Sequence, residues 1–87
     1  MEACVYILKN KKGNFYVGST DNLTRRLKQH LTGHTRTTHN RRMYNLVMVQ
    51  KYDSLTTARK VERRIKNMKR SDYIEKMVTD GYIKIRP

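Results

Sequence analysis

The stretch "ACVYILKNKKGNFYVGST", from Ala3 to Thr20, decides the fold because it has the pattern of a β-hairpin. The segment "ACVYIL" is rich in β-branched and aromatic residues, and "FYVGST", from Phe15 to Thr20, has the same strand character. The intervening "KNKKGN" carries the Gly and Asn residues that are typical of turns. We therefore predict two paired strands at the start of the chain.

A short amphipathic helix is predicted next. "DNLTRRLKQHLTG" has leucines at steps of four: Leu23, Leu27 and Leu31. Asp21 or Asn22 is able to cap the start of this helix, and Gly33 is able to end it. The following "HTRTTHNRRMY" has no period and many polar groups, which indicates a basic loop. "NLVMVQKY", from Asn45 to Tyr52, is then expected to be a third strand with long-range pairing.

Two further helices are predicted in the second half. Apolar residues recur every three or four positions from Ser54 to about Met68, as in a helix that lies on a core. Another helix is expected to start at Ser71 or Asp72 and to end near Gly81, and the tail "YIKIRP" is either strand-like or frayed. The order β-β-α-β-α-α predicts an α+β fold, with a small, mostly antiparallel sheet and helices packed against it.

Composition limits both the size and the partner. A chain of 87 residues is expected to form a single domain, residues 1–87, with a small core. Its 20 Lys and Arg against 7 Asp and Glu give a net charge of +13, which favours nucleic acid as the partner. We find no membrane-spanning run and no signal-peptide pattern, so a cytoplasmic protein is expected. The lone Cys4 reads as a small buried hydrophobe, and a zinc finger or knuckle is excluded.

Glu62 is the acid with the most functional promise. On a helical wheel, four basic residues fall within roughly a 60° arc: Arg59, Arg63, Lys66 and Arg70. Glu62 lies at the boundary of this arc. One interpretation is an ordinary ion pair from Glu62 to Lys66, in the favoured i to i+4 order. If the protein cuts nucleic acid, however, the other acids fall at the terminus, at helix caps or in the last segment, and Glu62 becomes the best metal candidate. A two-metal site of clustered acids is then not expected.

Candidate groups on the first half of the chain have two readings each. Arg26 and His30 are spaced i to i+4 and share a helix face, so they either bind phosphate or belong to a solvated surface. Tyr6 and Tyr16 lie on the two hairpin strands and are either packing residues or phenols made more acidic by nearby cations. Gly18 is expected where a side chain would block the approach of a backbone or a ligand.

Taken in order, these motifs resemble the GIY-YIG endonuclease domain. The resemblance rests on "VYIL" from Val5, "YVG" at Tyr16 to Gly18, "NLTRRLKQH" and the glutamate in "ARKVERRIK", and it covers nearly the whole chain. It is strongest to the small stand-alone bacterial members. The resemblance departs at Cys4, which replaces the family's first Gly, and at Val5 and Val17, which replace its isoleucines. Cys4 therefore affects the expected fine geometry of the site, and Asn67 is not assigned to the family's asparagine position.

The resemblance implies a three-stranded antiparallel sheet flanked by helices, and a metal-dependent nuclease mechanism. Tyr16 would act as general base or orient the water, and Tyr6 would help to place the nucleophile or phosphate. Arg26 would stabilise the phosphorane, and His30 would support it or assist proton transfer. Glu62 would hold Mg²⁺ or Mn²⁺, and in-line hydrolysis would leave a 5′-phosphate and a 3′-hydroxyl.

The basic loop and the basic helix face supply the candidate contacts to the nucleic-acid backbone: Arg36, Arg41, Arg42, Arg59, Arg63, Lys66 and Arg70. DNA is the expected partner. No added finger or helix-turn-helix is seen, so a protein partner is one way to supply targeting.

Three functions compete at this point. The first is a metal-dependent DNA endonuclease of DNA repair or recombination, which the presence of all five candidate residues favours. The second is a non-catalytic DNA or RNA binding domain with the same fold, which the small size favours. The third, a peripheral membrane protein, lacks an amphipathic helix with large exposed apolar residues.

Overall fold

The computed structural model describes residues 3–31 and 45–85. For residues 29–31 it describes the helical backbone alone. The elements are β1 (Ala3–Lys9), β2 (Phe15–Thr20), α1 (Leu23–Leu31), β3 (Asn45–Tyr52), α2 (Leu55–Met68) and α3 (Ser71–Asp80). The predicted α+β fold and its order β-β-α-β-α-α are confirmed. No helix among residues 3–31 and 45–85 is long and apolar enough to cross a membrane.

The sheet has three antiparallel strands in the order β2-β1-β3. Both faces of the central strand β1 are buried against helices, which explains why its sequence is a continuous apolar run instead of an alternating one. The hairpin turn is held by the Asn10 side chain, whose Oδ1 accepts from the backbone N–H of Lys12 at 3.0 Å and of Asn14 at 2.8 Å. Gly13 in that turn has φ +85°, a conformation that favours glycine.

The side chains of β1 alternate between two hydrophobic clusters. Val5 and Ile7 are fully buried in the larger cluster, where they pack with residues of α2 and α3 that include Ala58, Val61, Ile65 and Met77. Tyr6 and Leu8 belong to the smaller cluster on the opposite face, which is covered by Leu23 and Leu27 of α1. The sheet is therefore sandwiched between α1 and the α2–α3 pair.

Helix ends follow the expected capping chemistry. The Ser54 hydroxyl accepts from the Thr57 N–H at 3.1 Å at the start of α2, and Asn22 Oδ1 accepts from the Arg25 N–H at 3.1 Å near the start of α1. Helix α2 ends at Met68 because Lys69 adopts a left-handed conformation with φ 51°, and α3 ends before Gly81 with φ 82°.

The tail is neither a strand nor frayed up to residue 85. Ile83 is 5 % exposed, and its N–H donates to Gln50 Oε1 on β3 at 2.6 Å. Gln50 Nε2 donates back to the Ile83 carbonyl at 3.3 Å. This paired side-chain amide fastens the tail to β3 and replaces the strand pairing that the sequence suggested as one option.

Candidate active site at the β2 edge

Strand β2 is an edge strand, so side chains from both sheet faces meet along it. Tyr16 and Gly18 point to the α1 face, whereas Ser19 points to the α2 face, because successive side chains of a strand alternate. Helix α2 packs more closely on β2 than on the other strands. Groups that are far apart in sequence, on α1, β1 and α2, can therefore reach the same edge.

Tyr6 and Tyr16 form the aromatic part of this edge. Their ring centroids are 6.4 Å apart with an interplanar angle of 34°. Tyr6 is only 1 % exposed, whereas Tyr16 is half-buried. Burial raises the pKa of Tyr6 above its ordinary range; the neighbouring Tyr16 raises that pKa further, and Arg26 partly opposes the rise. For Tyr6 this direction is opposite to the acidification that was one of its two interpretations, so Tyr6 remains a protonated phenol that serves as a hydrogen-bonding and packing group.

Gly18 is required by the Tyr6 ring. The two residues are opposite each other in the β1–β2 register, and a Cβ added to Gly18 would overlap the Tyr6 hydroxyl and Cζ. The group that a side chain would block is thus this phenol, which lies directly over the glycine backbone.

Glu62 lies on α2 beside the opposite face of β2. The Ser19 hydroxyl donates to Glu62 Oε1, and Lys66 Nζ lies 2.6 Å from Glu62 Oε2. The Glu62 side chain is 20 % exposed. The i to i+4 ion pair considered from the sequence is therefore present, and the carboxylate is also tied to β2. Lys66 Nζ further lies 5.9 Å from the centroid of the Tyr16 ring, which joins Glu62 to the tyrosine side of the edge.

Arg26 contributes to a polar pocket next to this carboxylate. The pocket has a volume of about 160 Å³ and is lined by Ser19, Thr20, Asp21, Arg25, Arg26, Leu55 and Arg59. We call it the arginine pocket. It holds three guanidinium-bearing residues against one carboxylate, and it shares Ser19 with the Glu62 hydrogen bond. Such a cationic recess beside a carboxylate suits a phosphate group.

The structure thus brings Tyr6, Tyr16, Arg26 and Glu62 to one edge of the sheet. His30 lies in α1, but its side chain is outside the described part of the structure. Three arginines predicted to contact nucleic acid also lie outside the described residues: Arg36, Arg41 and Arg42. The roles of all these residues stay predictions.

The basic face of α2 is shorter than the helical wheel suggested. Arg59, Arg63 and Lys66 are exposed on α2, but that helix ends at Met68, so Arg70 does not belong to their arc. Arg70 instead precedes α3, where Nη2 and Nε bind the Asp72 carboxylate at 2.8 and 3.2 Å. Its guanidinium carbon also lies 4.4 Å from the centroid of the Tyr73 ring. The helical wheel gave the wrong position for Arg70 because Lys69, in a left-handed conformation, ends α2 before Arg70.

Sequence reasoning missed two partners of the site. The sequence predicts Ser19 only as part of a strand, and it assigns no role to Arg25. The strand period offers a signal for Ser19, since it points to the face opposite Tyr16 and Gly18, where a helix had to pack. Nothing in the sequence indicated that this helix would place Glu62 opposite Ser19.

A divalent metal is compatible with the donor set at Glu62. No group of three or more His, Cys, Asp or Glu side chains forms a metal cluster within residues 3–31 and 45–85. Mg²⁺, however, keeps several waters and commonly takes one or two protein carboxylates together with substrate phosphates. One partly exposed carboxylate, a neighbouring hydroxyl and the adjacent arginine pocket fit that mode of binding.

Comparison with known proteins agrees with this geometry. The family model of the GIY-YIG catalytic domain matches residues 2–77. The chain belongs to the GIY-YIG family. Membership implies a nuclease-type function and nucleic acid as the class of partner.

Small members of the GIY-YIG family are among the relatives. A UPF0213 protein of Syntrophus aciditrophicus (strain SB) is 36% identical over 73 residues, which are 82% of this chain and 84% of that protein. A UPF0213 protein from the VLF1-GP41 intergenic region of Autographa californica nuclear polyhedrosis virus is 59% identical over 27 residues, 31% of this chain and 26% of its own. The solution NMR structure of a UPF0213 protein from Bacillus halodurans is 30% identical, with a TM-score of 0.59, and the match covers 93% of this chain and 87% of that one.

Proposed function

We propose that this GIY-YIG domain is a metal-dependent endonuclease that hydrolyses phosphodiester bonds in DNA, in the service of repair or recombination. The observation that carries the proposal is the meeting of Tyr6, Tyr16, Arg26 and Glu62 at the β2 edge, with the arginine pocket beside them. An edge strand leaves this site open to a polymer that passes over the surface.

The arginine pocket is proposed to receive the scissile phosphate. Arg26 is half-buried at the pocket and close enough to Tyr6 to lower the pKa of that phenol. Its guanidinium is therefore held next to packed protein groups and is not a freely solvated surface charge. A guanidinium binds phosphate oxygens bidentately and stabilises the negative charge that develops on a pentacovalent phosphorus.

Tyr16 is proposed to hold the attacking water. It is half-buried, which leaves part of the ring accessible to substrate, and it lies beside the fully buried Tyr6. The water oxygen bonds to phosphorus and loses a proton as the P–O3′ bond breaks in line, and the leaving O3′ takes up a proton from solvent, so the products carry a 5′-phosphate and a 3′-hydroxyl. Tyr6, as a neutral phenol, keeps Tyr16 and the phosphate in place.

Glu62 is proposed to hold one Mg²⁺ or Mn²⁺ ion, with Ser19 fixing the orientation of the carboxylate. The bound ion would supply electrostatic stabilisation of the leaving oxyanion. Because carboxylate and water ligands suit both ions, the ion that binds depends on which of the two is available in the cell. The cytoplasmic location expected from the sequence stays a prediction.

The test is cleavage of a panel of labelled duplex, branched, nicked and single-stranded DNA, with matched RNA, in Mg²⁺, Mn²⁺ or EDTA. Glu62→Ala and Tyr16→Phe should abolish cutting. Glu75→Ala and Tyr73→Phe are the matched controls, because both side chains are exposed on α3, away from the β2 edge, and these variants should cut like the parent.

Salt-sensitive binding without cutting in every variant would contradict an enzyme and favour the binding domain. That alternative has support in the structure, because Glu62 is already satisfied by Ser19 and Lys66 as a structural residue would be. Cutting that survives EDTA would contradict the metal role alone.

A further inference from the structure

Lys66 lies close to both the proposed metal ligand and the proposed water-binding phenol. Its ammonium lies 2.6 Å from Glu62 Oε2 and 5.9 Å from the centroid of the Tyr16 ring. Ser19 takes the other carboxylate oxygen, Oε1. Both oxygens of Glu62 are therefore engaged by the protein's own groups, and one of those groups is a cation.

We propose that Lys66 is a resident counterion of Glu62, which a divalent metal has to displace and which DNA draws away. The inference rests on the proposed function and adds a coupling between metal and DNA binding. In the free protein the ammonium competes for Oε2, so the metal binds weakly. When a phosphate of the DNA backbone accepts the ammonium, Oε2 is released and the metal binds more tightly.

The side chains are suited to such an exchange. The Lys66 side chain is 51% exposed, on a flexible four-carbon stem, whereas Glu62 is only 20% exposed. The lysine is thus free to swing toward solvent or a phosphate, while Ser19 and the packing of α2 on β2 hold the carboxylate in place. Lys66 also lies one helical turn beyond Arg63 and two beyond Arg59, on the exposed basic face that was predicted to meet DNA.

The expected size of the effect follows from Coulomb's law. A single positive charge about 5 Å from a divalent ion in a largely aqueous setting weakens binding of that ion by roughly tenfold. An ion pair at a carboxylate that holds no metal would make no such difference, since its contribution is limited to the stability of α2. Metal affinity therefore separates a counterion role from a merely structural one.

The first experiment is a titration of the whole chain with Mn²⁺, with free Mn²⁺ followed by electron paramagnetic resonance. Lys66→Gln should bind Mn²⁺ about tenfold more tightly than the parent. Lys60→Gln is the matched control, because Lys60 is exposed on α2 but its position lies about 160° away from Glu62 on the helical wheel. It should stay within about twofold of the parent, since its charge is distant and screened. Lys66→Arg keeps the charge and should resemble the parent.

Equal Mn²⁺ affinity of Lys66→Gln and Lys60→Gln would overturn the inference. Glu62→Gln distinguishes that failure from failure of the proposed function. If Glu62→Gln loses the Mn²⁺ site while the two lysine variants are equal, the metal role of Glu62 stands and the counterion role falls. If Glu62→Gln binds Mn²⁺ as the parent does, the metal is not held by Glu62 and both proposals fail.

The second experiment tests the coupling to DNA. A short DNA duplex is added in the Tyr16→Phe background, which keeps the ring beneath Lys66 but removes the proposed contact to water and so prevents cutting. The duplex should tighten Mn²⁺ binding to Tyr16→Phe several-fold more than it tightens binding to Tyr16→Phe with Lys66→Gln, after the binding of Mn²⁺ by DNA alone is subtracted. The same factor in both proteins would overturn the coupling.

Discussion

Gly18→Ala is expected to destabilise the protein through a single steric conflict at the centre of the site. The new Cβ would overlap the hydroxyl and Cζ of Tyr6, which is 1 % exposed on the central strand. The ring is buried in the cluster that includes Cys4 and Leu8, so any shift away from the new Cβ must displace packed neighbours. Overpacking of this kind typically costs about 1–3 kcal/mol, and we expect the upper half of that range.

The assay is a double-mutant cycle with Tyr6→Leu, measured by urea unfolding with circular dichroism. Leucine lacks the atoms that meet the new Cβ. In that background Gly18→Ala should be neutral or should stabilise by up to about 1 kcal/mol, because alanine restricts the unfolded chain. The coupling free energy between the two positions should therefore be about 2 kcal/mol or more.

Gly13→Ala is the control for a conformational cost without a clash. Gly13 has φ +85° and nothing within 4 Å of an added Cβ, so alanine there should cost about 1–2 kcal/mol in both backgrounds. A cost of Gly18→Ala below about 0.5 kcal/mol, or the same cost with Tyr6 and with Leu at position 6, would refute the steric reasoning.

Three further expectations concern the cap, the buried phenol and the tail. Ser54→Ala removes the cap that accepts from the Thr57 N–H and should lower the free energy of unfolding by about 1 kcal/mol, which urea unfolding measures. Burial raises the pKa of Tyr6 in the folded state, so the unfolded chain ionises first and stability should fall as the pH rises above about 10. Tyr6→Phe should show a shallower loss between about pH 9 and pH 11, and an equal loss would contradict the assignment. Gln50→Ala should speed amide exchange at Ile83 and cost about 1–2 kcal/mol, because the Ile83 N–H loses its acceptor.

The fold was predictable because its local signals agree with one another. The hairpin has strand residues on both sides of a turn, and the apolar residues from Leu55 to Met68 recur every three or four positions, as in a helix. The end of α2 was also readable. Its consequence for Arg70 was not, since a helical wheel assumes a straight helix and the left-handed Lys69 breaks that assumption.

The candidate site was only partly predictable, for a physical reason. Tyr16 and Gly18 carry their own local pattern, but the partnership of Ser19 with Glu62 spans 43 positions and depends on how α2 lies across β2. Periodicity gives the face of a helix and not its shift along the strand beneath it. The sequence therefore predicts Glu62 as the metal ligand by elimination, whereas the side chains that contact Glu62 are known only from the packing of α2 on β2.

The small size of the domain explains why the site lies on an edge. A core this small has no room for a deep cleft, and nearly all of the fully buried side chains are spent on the two clusters beside β1. An edge strand solves the problem because α1 packs on one of its faces, α2 packs on the other, and no strand among the described residues pairs with its outer side. Among the described residues, Tyr6 is the one buried side chain that belongs both to a cluster and to the site, so the same ring that fills the α1 face also positions Tyr16. Changes at Tyr6 should for that reason alter stability and activity together, whereas changes at Glu62 or Lys66, which lie outside both clusters, should separate the two.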